Sequence, residues 1–162
     1  MRANRTGLTG FTIVELIIVV TIIGILAGIV LVSYSGIQAN GRDTQRQADA
    51  LAVKSQLEVY FNDNGTYPTA STMTNSDAST IAGENGILKG LSADALVNPL
   101  AFGGTTNSFR SISSGSPSND VYWYQSYASN GTTICSTTPC AKFKIMYIKE
   151  SDGTTVTLSS IN

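Results

Sequence analysis

Histidine is absent from this chain of 162 residues, and charge is scarce, with 10 Lys+Arg and 11 Asp+Glu. Without imidazole there is no Ser-His-Asp or Cys-His nucleophile pair and no His-ligated metal site. No glycine-rich phosphate loop of the P-loop or dinucleotide type occurs. No basic patch marks nucleic acid as a dedicated partner. Cysteine is limited to Cys135 and Cys140, and proline to four residues. These shortages argue against an enzyme, and no catalytic residue, metal or cofactor is expected. Ser, Thr, Asn and Gly dominate the second half.

What the chain does have is one long apolar run, from Phe11 to Val32, in G-F-T-I-V-E-L-I-I-V-V-T-I-I-G-I-L-A-G-I-V-L-V. Its 22 residues are long enough to cross the hydrocarbon core of a bilayer as a helix. Inside it sits a single carboxylate, Glu15. A lone acid in a membrane span costs roughly 2.5–3.5 kcal/mol on insertion scales, so it marks a functional site by default. Ahead of the run lies a short polar leader, M-R-A-N-R-T-G-L-T-G, with two arginines and no acid. Basic flanks hold that end in the cytoplasm. A secretory signal would place a small-residue cleavage site after the apolar run; here the glycine, Gly10, comes before it.

The order of basic leader, Gly10, Phe11-Thr-x-x-Glu15 and apolar tail resembles the class III signal of type IV pilins and pseudopilins. The resemblance implies cleavage after Gly10 by a prepilin peptidase, N-methylation of Phe11, and Glu15 as the fifth residue of the mature subunit. Loss of the leader removes two arginines, leaving 8 Lys+Arg against 11 Asp+Glu, a balance of −3. Cleavage also creates an α-amine at Phe11, cationic near neutral pH. In a filament of stacked helices, Glu15 of one subunit would pair with that amine on its neighbour and set the axial register, since an unpaired buried charge is strongly unfavourable. The bland alternative is a signal anchor whose acid snorkels to headgroups.

Beyond Ser35 the run becomes a polar helical stretch. Ala50, Val53, Leu57, Tyr60 and Phe61 recur at helical spacing and form one face of an amphipathic helix. Arg42, Asp43, Arg46 and Asp49 supply opposite charges along the other positions, including Arg42–Asp49 and Arg46–Asp49. Phe11 to Phe61 reads as one helix of 51 residues. Gly24, Gly28, Gly36 and Gly41 interrupt it, and Gly24 and Gly28 make a small-xxx-small face suited to close helix packing in apolar surroundings. Many type IV pilins carry proline where this chain has Val32, two residues before Tyr34. The run N-D-N-G-T-Y-P, Asn62 to Pro68, stops the helix. A helix end followed by G-x-Y-P is a second point of resemblance to the family.

Residues 70–118 read mostly as loops, with a short helix from Ser92 to Val97 stopped by Asn98-Pro99. From Asp120 the pattern turns to strands. V-Y-W-Y-Q-S-Y-A is followed by a Ser129-Asn130-Gly131 turn and T-T-I-C. K-F-K-I-M-Y-I-K and T-T-V-T-L-S then flank a Ser151-Asp152-Gly153 turn. Three or four antiparallel strands would pack one face onto the apolar stripe of the helix. Tyr122, Trp123, Tyr124 and Tyr127 read as sheet core, with a carbohydrate platform as the alternative. Cys135 and Cys140 lie beyond the span on the side assigned outside, where a disulfide is favoured over free thiols or another pairing.

The expected fold class is α+β. A long N-terminal helix, membrane span plus amphipathic half, packs on a small antiparallel β-sheet head in the pilin-like lollipop. The expected divisions are a cleaved cytoplasmic leader (1–10), a hydrophobic transmembrane and assembly helix (11–34), its amphipathic continuation (35–62) and a globular head (63–162) with its sheet in 120–160. The resemblance implies a structural subunit of a type IV pilus, polymerised for adhesion, twitching motility or DNA uptake. Its partners would be further copies of itself, the prepilin peptidase, the assembly machinery and the inner membrane, with nucleic acid met only indirectly through DNA uptake. The precursor would be a single-pass protein of the cytoplasmic membrane and the product an extracellular filament. A pseudopilin of a type II secretion system is the alternative within the family. Major pseudopilins typically bind calcium in a C-terminal loop, and here that end offers only Glu150 and Asp152, thin ligation for a cation wanting 6–8 oxygens. A membrane-tethered carbohydrate-binding module is the alternative of another class.

Overall fold

The structure is a computed structural model that describes residues 10–100, 107–111, 118–137 and 139–161, with side chains at 30–35 left out. Leader residues 1–9, the side chains of Val32 and Tyr34, and much of the loop read between 101 and 117 lie outside the described residues. The chain divides after Gln38 into two units. Helix α1 runs Ile13–Asn64, 52 residues. It starts two residues after Phe11 and ends three beyond Phe61.

In the first unit, Phe11 to Ile29 is exposed without a break, with Phe11 87% and Ile13 78% accessible. Among the described residues no helix is long and apolar enough to cross a membrane. The apolar sequence continues through Val30 to Val32, where side chains are not described.

The second unit, Ala39–Asn162, holds the core. Ala50, Val53 and Leu57 of α1 are fully buried, and Tyr60 and Phe61 are partly buried against the same cluster. This is the stripe expected from their spacing. The helix stops at Gly65, whose amide donates to the Phe61 carbonyl at 2.7 Å and whose φ of +69° suits a residue without Cβ.

Two short helices follow, α2 (Ala70–Asn75) and α3 (Ala78–Ile81), where the sequence reads as loop. Their polar composition hides them, but Met73, Ala78 and Ile81 are buried, and the Thr69 hydroxyl accepts from the Thr72 amide as an N-cap. Strands β1 (Ala82–Gly83) and β2 (Leu88–Lys89) form a small parallel pair. A 3-10 turn at Ala93–Leu96 falls inside the short helix expected from Ser92 to Val97.

The main sheet has the order β3-β4-β5-β6, with β3 Phe109–Ser111, β4 Tyr122–Tyr127, β5 Lys142–Ile148 and β6 Thr155–Ser159. β4, β5 and β6 are antiparallel neighbours, as the sequence pattern implies. β3 is parallel to β4 and so departs from a pure meander. Asn107, 4% exposed, positions it: its side-chain amide donates to the carbonyls of Met73 (2.6 Å) and Ser76 (3.0 Å), and its Oδ1 accepts from the Phe109 amide. The Thr-Thr-Ile-Cys segment is not a strand; only an isolated bridge joins Ile134 to Tyr127.

Tyr122 and Tyr124 of β4 and Phe143, Ile145 and Tyr147 of β5 alternate onto one face and join the helix stripe in one cluster. Val156 and Leu158 extend that face into β6. Period-two alternation puts these residues inward. A long helix on a small sheet in an α+β arrangement is the observed architecture.

Candidate functional site

The N-terminus of α1 is built by Thr12 and Glu15. The Thr12 hydroxyl accepts from the Glu15 amide at 3.2 Å, while Glu15 Oε2 accepts from the Thr12 amide at 2.9 Å and the Thr12 hydroxyl at 2.7 Å. The Leu16 amide donates to the Thr12 carbonyl, the first intrahelical bond, so Thr12 is the N-cap. This is a reciprocal capping box, which satisfies donors that a helix start leaves orphaned. The T-x-x-E spacing was visible in Thr12-Ile13-Val14-Glu15, yet reading Glu15 as a lone membrane charge overlooks it. Both donors engage one oxygen; Oε1 has no hydrogen-bond partner and no cation pairs with Glu15 among the described residues. Gly10 and Phe11 precede the cap and are exposed. Around this lone carboxylate, every residue through Ile29 is exposed.

The second unit ties its helix to the sheet through a charged cluster that the sequence places differently. Arg42 donates from Nε (2.8 Å) and Nη2 (2.5 Å) to Glu150 rather than pairing along the helix with Asp49. Arg46, with no exposed surface, bonds Asp43 at 2.6 Å and reaches Glu150 at 3.4 Å. Asp43 also accepts from the Glu150 and Ser151 amides at 2.7 and 2.9 Å. Asp49 instead accepts from the Tyr122 hydroxyl at 3.0 Å. Helical spacing within the sequence cannot reveal a partner more than a hundred residues away. Burial alone would raise the Asp43 carboxyl, but hydrogen bonds from Ser151, the Glu150 amide and Arg46 outweigh it and bring it to about 2. Hydrogen bonding from Arg42 lowers the Glu150 carboxyl.

At the far end of α1, Tyr67 of the G-x-Y-P segment is fully buried. Its hydroxyl donates to Glu58 at 2.6 Å, its amide donates to the Cys140 carbonyl, and its ring lies 4.5 Å from Phe61 and 4.8 Å from Phe143. Glu58 also accepts from the Ile161 amide at 3.0 Å. Cys135 and Cys140 form a disulfide, Sγ–Sγ 2.03 Å. Trp123 is 4% exposed and Tyr122 and Tyr124 are fully buried; Tyr127 is half-buried with Lys144 Nζ 5.4 Å from its ring centre. These aromatics build the sheet rather than present a stacking face to a ligand.

The chain thus has one exposed apolar helical segment and a second unit closed by a disulfide, and its relatives are fimbrial and secretion-system proteins. Over 115 residues the chain is 32% identical to the fimbrial protein EcpC of Eikenella corrodens, covering 60% of this chain and 75% of that one. Over 98 residues it is 30% identical to a fimbrial protein of Neisseria meningitidis, covering 55% and 58%. Over 60 residues it is 37% identical to the type II secretion system core protein G of Dickeya chrysanthemi. The chain spans only 39% of the length of that last relative. No family profile and no solved structure matches it. The chain belongs to the type IV pilin and pseudopilin family.

Proposed function

We propose that this chain is a subunit of a type IV pilus, inserted in the cytoplasmic membrane as a precursor, cut after Gly10 and polymerised through its N-terminal helix into a surface filament. The filament would serve adhesion, twitching motility or DNA uptake. The observation that carries the reading is the unbroken exposure of Phe11 to Ile29 around a single acid. Burying that apolar surface against copies of the same helix is worth roughly 25 cal/mol per Å² removed from water. Oε1 of Glu15, which has no partner among the described residues, would take the new α-amine of Phe11 on a neighbouring subunit, a charge-assisted contact stronger than a neutral hydrogen bond.

Two observations favour pilus over secretion pseudopilus. The likeness to a fimbrial protein extends over 115 residues, against 60 for a secretion core protein. Of Glu150 and Asp152, the two acids at the C-terminal end, Glu150 is held by Arg42 and Arg46. Electron microscopy of sheared surface filaments, with mass spectrometry of their N-terminus, tests the proposal. Filaments made mainly of this chain and starting at methylated Phe11 are expected; an uncut leader at Gly10, or surface filaments without the chain, would overturn it.

A further inference from the structure

One cleft in the second unit has a composition that the structural role leaves unused. It is a solvent-open cleft of about 450 Å³, within the size range of small-molecule sites, between α2, the end of β3, β4 and the disulfide loop. Among the described residues its single charged lining residue is Arg110, and none of them is a carboxylate. Arg42 and Arg46 are spent in ion pairs, but Arg110 has no ion pair among the described residues. Nη1 of Arg110 donates to the Asn107 and Phe109 carbonyls at 2.9 and 2.8 Å, which pins the guanidinium. Its Nε and Nη2 edge has no partner among the described residues, and that edge is the one that grips a carboxylate through two parallel bonds.

The walls are held in advance. Gln125, 1% exposed, accepts from the Ser111 hydroxyl and donates to the Ser126 carbonyl, so the floor is fixed. The Asn107 amide anchors α2, and the Cys135–Cys140 bond anchors the opposite wall. Around Arg110 the lining is hydroxyl and amide: Ser71, Thr74, Asn75 and Ser136. Each can both donate and accept, the property a ring of sugar hydroxyls needs. One cation suits a monoanion, and the hydroxyls and amides beside it suit a polar ring.

We propose that this cleft binds an acidic sugar, with the carboxylate on Arg110 and the ring hydroxyls on Ser71, Thr74, Asn75 and Ser136. The site lies in one subunit and holds whether or not the chain polymerises. The test titrates the isotope-labelled full chain, in detergent micelles, with glucuronate, glucose and acetate at millimolar concentration while following backbone amide shifts. Saturable shifts at Asn75, Arg110 and Ser136 are expected with glucuronate and not with glucose. Arg110→Gln should weaken glucuronate about tenfold or more, the effect of losing a charged hydrogen bond. Ser136→Ala leaves the guanidinium in place and should weaken it a few-fold, which keeps the test open if Arg110→Gln disturbs β3. Acetate binding as tightly as glucuronate would overturn the sugar half of the proposal, and no saturable shift at these residues, or equal shifts with glucose, would overturn it whole.

Discussion

Arg46 is the largest fully buried side chain, and its Nε has no hydrogen-bond partner among the described residues. Its charge is answered by Asp43 at 2.6 Å and by Glu150 at 3.4 Å, so removing Asp43 leaves a buried cation with only the longer contact. Asp43→Asn is therefore expected to destabilise the fold by about 3 kcal/mol at neutral pH, measured by denaturant unfolding of the full chain. The pH dependence follows from the direction of the shift. Asp43 falls from its ordinary 3.8 to about 2 in the folded chain. Its contribution is complete above about pH 4 and disappears as pH falls toward 2. The lowered Glu150 carboxyl acts in the same direction. Unfolding midpoints of the wild type should drop across that window, and those of Asp43→Asn should drop less; parallel curves would show that Asp43 does not carry the effect.

At the scale of elements, the start of α1 allows capping and assembly to be separated. Glu15→Gln keeps an acceptor for the Thr12 amide and hydroxyl but has no charge for an amine. Thr12→Ala removes the hydroxyl and keeps the charge, at a helix cost of about 1 kcal/mol. Filament yield should collapse in Glu15→Gln and fall only modestly in Thr12→Ala; the opposite order would make the cap, rather than the charge, the important contact. The disulfide loop closes a sequence separation of 5, so its loss should cost about 2 kcal/mol through the unfolded chain. Thermal melting of the paired Cys135→Ser and Cys140→Ser variant measures that. Because the Cys140 carbonyl receives the Tyr67 amide and the amide of Cys140 donates to Thr66, part of the loss should appear at the end of α1.

The strands and the helix stripe were legible because each element buries one face, and a buried face writes its period into the sequence. The parallel edge strand β3 was not legible. Three residues, Phe109 to Ser111, carry no period, and their place depends on an Asn107 amide that bonds carbonyls more than thirty residues earlier. α2 and α3 were hidden for a related reason: six and four residues are too few for a helical pattern, and tertiary burial of Met73 and Ile81 holds them.

At the scale of the whole molecule, every hydrophobic core residue among the described residues lies at or beyond Ala50, within the second unit. A chain that begins at Ala39 should therefore keep its sheet and disulfide and stay monodisperse without detergent. Circular dichroism and light scattering would check this, and loss of the sheet signal would mean that the first unit contributes to folding. The same truncation should abolish entry into filaments, because the exposed apolar segment goes with it.

The amino-acid sequence alone determined the apolar segment with its one acid behind Gly10-Phe11, the helix stripe at Ala50, Val53 and Leu57, and the strand alternation. Each of these is a local pattern of polarity, and local patterns survive in one dimension. Only the tertiary structure decided that Arg42 and Arg46 serve Glu150 instead of Asp49, that Tyr67 joins the helix end to the disulfide loop, and that Arg110 stands beside a cleft without an ion pair among the described residues. Those pairings join residues far apart in the chain, and burial then raises the cost of leaving any of their charges or donors unanswered.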